Sequence, residues 1–282
     1  MQHSEYKAFL DHIYFCNDAF LNQHYLPLRA FNALIGWVSI EKINILQRYG
    51  AKLNTDSIVS LSQHLSLEDF GNRLIQDRYV SGMNEAFDVY PTPYDKPIGI
   101  IDRSILPFLG LIGSGVHLNG LVKKPSGIFL WVGKRSASKR LDPNKLDHMV
   151  AGGIPAGHDH KSALLKEASE EANIPNELVN EAHFQTIISY STNRPEGLRR
   201  DVIYCYDLWL PDHFRPVPND GEVSEFILLP IEEVYQQVLT TRNFKFNVNL
   251  VLIDLFLRIG LIPSRSEEGQ NLKHGMCGKL FP

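Results

Sequence analysis

The chain has 282 residues, 44% of them hydrophobic and 21% charged, with a formal net charge of -4. That balance is ordinary for a globular protein of one large domain or two modest ones. It supplies no general electrostatic pull toward nucleic acid. No apolar run approaches the roughly 20 residues that span a bilayer, so no membrane partner is expected. The opening MQHSEYKAFLDHIYFC mixes polar and apolar residues and lacks the basic start and apolar core of a secretory signal. Cys16, Cys205 and Cys277 are an odd, widely spaced set. They predict a reducing compartment, read as the cytoplasm, with no disulfide framework.

In chain order, HSEYKAFLDHIYFCNDAF places Phe9, Ile13 and Phe20 at helical spacing. AFNALIGWVSIEKINILQRYG begins as a strand around Gly36 and Trp37 and turns helical toward Ile45 and Leu46. Ser66, with Glu68 and Asp69 behind it, signals a helix start. The proline-rich YPTPYDKPIG reads as a connection between units. From about Gly115 the pattern becomes β-rich. GVHLNGLVKK and GIFLWVGKR flank Pro125, Ser126 and Gly127 as a hairpin. HFQTIISYST and RRDVIYCYDLWLP form a second strand pair, EVSEFILLP a further strand, and IEEVYQQVL and NVNLVLIDLFLRIG two helices, the last ending at Gly260. The expected fold is α+β, a mixed sheet between helices preceded by a smaller α/β domain. The boundaries read as 1–113, 114–263 and a loosely packed tail over 264–282.

Between the two strand pairs lies AGGIPAGHDHKSALLKEASEEANIP, Ala151 to Pro175. Residues Ser162 to Asn173 suit three helical turns. Glu167, Glu170 and Glu171 then share one face, and Leu165, Ala168 and Ala172 share another that suits packing on a sheet. A solvated acidic face is one reading. The other is a metal site. Alanines flank the carboxylates, and Gly152, Gly153 and Gly157 allow backbone to approach a ligand closely. Carboxylates with backbone carbonyls make an oxygen-rich site for a hard cation such as Mg²⁺, which binds carboxylates and substrate phosphates together.

The stretch resembles the Nudix box. Gly152 takes the first glycine, Lys166 and Glu167 the Arg-Glu pair, Ala168 the apolar position, Glu170 and Glu171 the Glu-Glu pair, and Ile174 the last apolar position. Three positions depart from the pattern: His158 stands for the first Glu, Lys166 for Arg and Asn173 for the last Gly. In the family that Glu and Arg commonly brace the loop against the helix. Asn173 is a mild change, since Asn tolerates left-handed backbone. GVHLNG, LDHMVAGG, KEASEEANIP, DLWLP, NDGEVSEF and FKFNVNLVLIDLFLRIG extend the similarity to one branch of the superfamily. There an extra domain precedes the Nudix fold. Fungal members fuse the module to thiamine pyrophosphokinase, and yeast and plant relatives hydrolyse damaged thiamine diphosphate. In SGMNEAFDV, Met83 and Asn84 stand where an aromatic and a basic residue are usual.

The resemblance implies a Mg²⁺-dependent, or Mn²⁺-dependent, diphosphate hydrolase. Its metal site would comprise Glu167, Glu170, Glu171 and a backbone carbonyl at Ala151 or Gly152. A box glutamate or Glu222 would activate water. The implied partner is a small-molecule diphosphate: damaged (oxo or oxy) thiamine diphosphate, with an 8-oxo-guanosine diphosphate as the alternative. A non-catalytic Nudix ligand-binding module is the rival of another class. Glu222 can equally be a solvated loop carboxylate, and Asp220 and Glu225 are weaker candidates. Arg135, at a strand end, leads Lys139 and Arg140 as a phosphate contact. Arg199 and Arg200, which precede a strand, can equally take that role or be solvated. His117 and Asn119 alternate with apolar neighbours and so share a side, as pocket residues or as a satisfied polar pair. Trp131 and Trp209 read as core or rim aromatics, and Tyr190 as a possible stacking surface. His148, His158 and His160 fit no closed zinc spacing and read as surface residues.

Overall fold

The structure, a computed structural model, describes residues 2–61, 66–278 and 280. The first part of the chain runs α1 (His3–Cys16), α2 (Leu21–His24), β1 (Tyr25–Ala30), β2 (Ala33–Ser39), α3 (Ile43–Arg48), β3 (Lys52–Leu53), β4 (Val59–Ser60), α4 (Leu67–Gln76), β5 (Ala86–Asp88), β6 (Ile100–Asp102) and α5 (Ile105–Leu109). β1 and β2 are antiparallel and turn through Phe31 and Asn32, both at positive φ, the backbone of a tight hairpin. They head a four-stranded sheet in the order β2-β1-β4-β3, while β5 and β6 pair separately. Ser66 accepts the Asp69 N–H at 3.0 Å and so caps α4, as its sequence signals. Leu67, Phe70 and Leu74 of that helix join Leu28, Val38, Leu46, Ile101 and Leu109 in one apolar core.

The second part contains β7 (Ile112–Lys124), β8 (Gly127–Arg135), β9 (Leu146–Asp147), β10 (Val150–Gly153), α6 (His160–Ala172), α7 (Asn176–Val179), β11 (His183–Arg194), β12 (Gly197–Trp209), β13 (Val223–Pro230), α8 (Ile231–Thr240), α9 (Val248–Arg258) and α10 (Glu267–Gly275). Its sheet runs β11-β12-β7-β8-β13, with β10 added to β7 and β9 to β8. β12 and β7 are parallel and the other pairs antiparallel, so the sheet is mixed. Alternation along the strands divides the core. Val116, Leu118, Trp131, Tyr206 and Leu208 pack with Ala163, Leu164 and Ala168 of α6. Leu121, Leu130, Val132, Ile203 and Cys205 pack with α8 and α9 on the opposite face. The fold is therefore α+β, a mixed sheet between helical layers with an α/β region before it. Among the described residues no helix is long and apolar enough to cross a membrane.

Three details differ from the sequence reading. The helix α1 does not stay with the N-terminal region: Phe9 and Ile13 enter the core beneath α8 and α9, with Phe9 fully buried. Burying one such side chain contributes about 1.5–3 kcal/mol, which favours this docking. The segment YPTPYDKPIG joins β5 to β6 inside the N-terminal region and does not link two units. The tail is not loose. Ser266 caps α10 by accepting the Gly269 N–H at 3.1 Å, and Leu272 and Met276 are buried against α1 and α9.

Candidate active site

Asp159 and Ser162 form a capping box at the start of α6, and its end is closed by Asn173 at φ 50, the left-handed conformation that Asn tolerates. The helix lies across β10, so its carboxylates meet the glycine strand. A methyl built on Gly152 would sit 2.2 Å from Glu167 Cδ, so only glycine lets Glu167 lie here. The Glu167 side chain is 15% exposed. Burial raises its pKa, and Lys166 opposes that rise. Glu170 stays half-exposed and takes the Lys166 ammonium at 2.6 Å. Glu171 is turned inward, 5% exposed, and accepts the Ala151 N–H at 2.8 Å. Burial pushes its carboxyl well above the usual range, the Ala151 N–H opposes this, and Asp147, Glu167 and Glu222 add to it.

The loop before β13 brings Asp220 and Glu222 to the same place. Carboxylate oxygens of Glu171, Asp220 and Glu222 lie within 4.8 Å of one another. This convergence includes Asp220, which the sequence ranked low, and it crosses from helix to loop. Glu171 has no cationic side chain against it among the hydrogen bonds and ion pairs of the described residues, only the Ala151 amide. An all-oxygen donor set around a buried carboxylate fits a hard divalent cation. A second trio, His117, Asp147 and His148, is buried. Its carboxylate is already paired with Arg135 at 2.8 Å and Lys245 at 3.3 Å, and the two imidazole Nδ1 atoms share a hydrogen bond at 2.7 Å. Burial lowers the His148 pKa to about 4. The carboxylate is thus already neutralised by two cations, while His148 Nε2 is buried without a partner among the described residues.

One cavity of about 620 Å³ contains Glu167, Glu170, Asp220, Glu222, Ala151 and Gly152 in its lining. Its volume suits a small organic ligand. Its opposite wall comes from the N-terminal region. Phe87 lies 2.5 Å from where a Gly153 Cβ would be, and the Arg103 guanidinium carbon 3.4 Å from it. Arg103 sits 5.2 Å from the Phe87 ring centre and pairs with Glu85 at 2.9 Å. The loop between β10 and α6 is held by the same strand. Ala156 N–H donates to Ala86 O at 2.8 Å and Gly157 N–H to Asp88 Oδ2 at 2.9 Å.

The remaining sequence candidates divide. His117 and Arg135 do line the cavity. Arg135 is committed elsewhere, however, donating to Asp142 O, Leu141 O and Asp147 at 3.0, 2.8 and 2.8 Å. Asn119, expected to bind substrate, is fully buried and donates to Asp207 at 2.8 Å, in a network completed by Arg258. Alternation does put it near His117 in sequence, but its side chain serves the helix α9 layer. Arg200, also expected at the substrate, is 1% exposed and donates to Leu280 O and to Gly110 O at 2.8 Å. It fastens the C-terminal segment to the sheet. Its neighbour Arg199 reaches the cavity instead. Lys139 also lines the cavity and pairs with Glu222 at 2.5 Å. His148, read as a surface residue, is buried at 2% exposure, and His160 stacks on Tyr204 at 4.5 Å. His158 is exposed and meets only the Ala156 carbonyl, at 3.3 Å. Sequence reasoning missed Phe87, Asp88, Arg103 and Asp201, whose roles depend on long-range contacts.

Residues 119–249 match the family model of the NUDIX domain. Over these residues the chain carries a Nudix domain. Two relatives from Arabidopsis thaliana are 40% identical: Nudix hydrolase 24, chloroplastic, over 69% of this chain and 54% of its own, and Nudix hydrolase 20, chloroplastic, over 65% and 49%. The chain thus spans about half the length of these two relatives. The Saccharomyces cerevisiae uncharacterized protein YJR142W is 30% identical over 71% of this chain and 63% of its own. Among solved structures, DR0079 from Deinococcus radiodurans aligns over 60% of this chain and 97% of its own at 23% identity and a TM-score of 0.46.

Proposed function

We propose that the chain is a divalent-cation-dependent diphosphate hydrolase whose substrate is a damaged, oxo or oxy, thiamine diphosphate, released as the monophosphate. The observation that carries the reading is the convergence of helix and loop carboxylates on a cavity whose far wall comes from a different part of the chain and includes the Phe87 ring. Glu167, Glu170 and Glu171, with Asp220 and Glu222 and the Ala151–Gly152 backbone, would hold Mg²⁺ or Mn²⁺. When bound, the cation supplies Lewis-acid stabilisation of charge on phosphate oxygens. Glu222 or a helix glutamate takes the proton of the attacking water on a carboxylate oxygen. Arg103 and Lys139 offer N–H donors to phosphate oxygens in place of the committed Arg135 and Arg200. Phe87 and Met83 provide an apolar wall for the organic group, and residues 1–113 act as its specificity region beside a hydrolase domain over 114–263. An apolar wall favours the neutral ring of the oxo form over the cationic thiazolium of intact thiamine. The three free thiols suit a reducing compartment such as the cytoplasm; the two Arabidopsis relatives are described as chloroplastic.

The deciding experiment is a phosphate-release screen with Mg²⁺ or Mn²⁺. It covers thiamine diphosphate, its oxo and oxy forms, and nucleoside di- and triphosphates. The oxo form, which keeps the aminopyrimidine and has a neutral second ring, should show the highest kcat/KM. A tenfold advantage for 8-oxo-dGDP replaces the thiamine reading with a nucleotide one. No hydrolysis of any member sinks the hydrolase reading and leaves a ligand-binding module.

A further inference from the structure

The end of the cavity away from the glutamates is lined by Tyr190, Arg199, Asp201 and Asn247. Tyr190 is fully buried and donates its hydroxyl to Asp201 Oδ2 at 2.5 Å. Arg199 donates to the same oxygen from Nε at 3.0 Å and lies 2.9 Å from it through Nη2. Asn247 Nδ2 donates to the Tyr190 hydroxyl at 3.1 Å. All of this rigidity is spent on one carboxylate oxygen. The other, Oδ1, accepts no hydrogen bond among the described residues. It faces Gly113, where an added Cβ would stand 2.8 Å away. The glycine keeps the space before Oδ1 open. Asn247, 5% exposed, also has an Oδ1 without a partner among the described residues.

A carboxylate held in one orientation, with one lone-pair edge left toward a cavity, is an acceptor built for an N–H donor. Glu196, 3.7 Å from Arg199, adds a second negative charge beside that guanidinium, and Lys245, also in the lining, is paired with Asp147, so the free edge of Asp201 favours a donor group. Its distance from the glutamates is set by the sheet. Asp201 is paired with Gly113 and Ala151 with His117, four residues apart on β7. At roughly 3.3 Å per residue that is about 13 Å along β7, and the two strand spacings of about 4.8 Å across it bring the backbone separation to roughly 16 Å, which the side chains narrow toward the length of an extended ligand.

We infer that Asp201, with Gly113 clearing its approach, is a specificity subsite for an amino-substituted heteroaromatic ring. The inference rests on the proposed function only in taking the glutamate end as the phosphate end. The ring chemistry is shared by an aminopyrimidine and by guanine, so both sources are probed.

The test reads binding, so it does not depend on turnover. Calorimetry with Mg²⁺ on the full chain compares two pairs of monophosphates: thiamine and oxythiamine monophosphate, and GMP and IMP. Within each pair the exocyclic amino group is present in one member and absent in the other. The wild-type chain should bind the amino member at least tenfold more tightly in one pair, and the pair identifies the source. Gly113→Ala fills the space before Oδ1 while leaving the Asp201 network in place, and Asp201→Asn changes the acceptor itself. Each variant, checked for an unchanged circular dichroism spectrum, should bring the preference within threefold. A wild-type chain with no preference in either pair, or a preference that survives in folded Gly113→Ala, overturns the inference. Binding that follows this pattern in a chain that hydrolyses no diphosphate would overturn the proposed function and leave the subsite standing.

Discussion

Replacing Gly152 with alanine probes the contact that brings helix and glycine strand together. The new methyl would lie 2.2 Å from Glu167 Cδ and 2.4 Å from both Cγ and Oε2. Carbon atoms pack at about 3.5–4.0 Å, so the glutamate must retreat by roughly 1.3 Å or more. It cannot retreat freely: its side chain is 15% exposed, and Lys166 holds Oε1 at 3.4 Å. Forcing a methylene-sized group into such a contact costs about 1–3 kcal/mol of stability. The chain should stay folded at 25 °C, with a lowered Tm. The effect on turnover is larger, because a displacement of about 1 Å at a reacting centre costs on the order of 100-fold. The assay is steady-state phosphate release over a Mg²⁺ titration, with Tm measured on the same preparation. Gly152→Ala should lower kcat by about 100-fold and raise the Mg²⁺ concentration for half-maximal rate. Wild-type kcat and metal dependence in a folded variant would refute the placement of Glu167 in the metal site.

The other predictions bear on the carboxylates, the loop and acid stability. Mg²⁺ should raise the wild-type Tm and restore activity removed by a chelator, since a ligand that binds only the folded state stabilises it; Glu171→Gln should lose both responses while remaining folded. His158→Glu should retain kcat within threefold, because His158 is exposed and touches only a backbone carbonyl; a loss as large as that of Glu170→Gln would give His158 a part in the chemistry. Burial lowers the His12 pKa from 6.5 to about 4, where its Nε2–H donates to Val238 O at 2.8 Å. The unfolded chain therefore takes up this proton first. The stability held above pH 6.5 is lost as pH falls toward 4, by about 3 kcal/mol for a shift of this size. Urea unfolding at pH 7.5 and 4.5 should show that slope reduced in His12→Asn, and an unchanged slope would remove His12 as its source.

Most of the second half of the chain was legible because its signals are local. Period-two alternation gives β7, β8, β12 and β13, a capping residue and αL asparagine bound the acidic helix, and glycine marks the strand it crosses. Asn119 and Arg200 were not legible for a physical reason. Alternation says which side of a strand a residue takes, but not whether that side meets a cavity or a helix layer. Asn119 meets Asp207 and Arg258; Arg200 meets the carbonyls of Leu280 and Gly110. Both are buried polar groups whose partners lie far along the chain, and burial without such partners would cost several kcal/mol. Arg135 lines the cavity, yet its donors go to Asp147 and to a loop whose course no sequence pattern reveals. Docking of α1 on α8 and α9 was likewise hidden, since an amphipathic helix announces that it has an apolar face but not what covers it.

The N-terminal region bears on the box in a way that the three box substitutions make intelligible. A glycine-rich loop leading into a helix must be held if the carboxylates behind it are to stay in register. Here Lys166 is drawn to Glu167 and Glu170, and His158 faces solvent, so these two side chains do not tie loop to helix. The tie runs through β5 instead. Its backbone carbonyl at Ala86 and the carboxylate of Asp88 take the amides of Ala156 and Gly157, and Phe87 between them fills the place a side chain at Gly153 would need. Two hydrogen bonds of this kind contribute about 0.5–1.5 kcal/mol each, more where the acceptor is charged, and the buried ring adds about 1.5–3 kcal/mol. Together they exceed what an exposed ion pair at positions 158 and 166 would supply, about 0–1 kcal/mol. The same strand that steadies the loop also presents Phe87 to the cavity, so positioning of the glutamates and shaping of the ligand wall are coupled in one three-residue element.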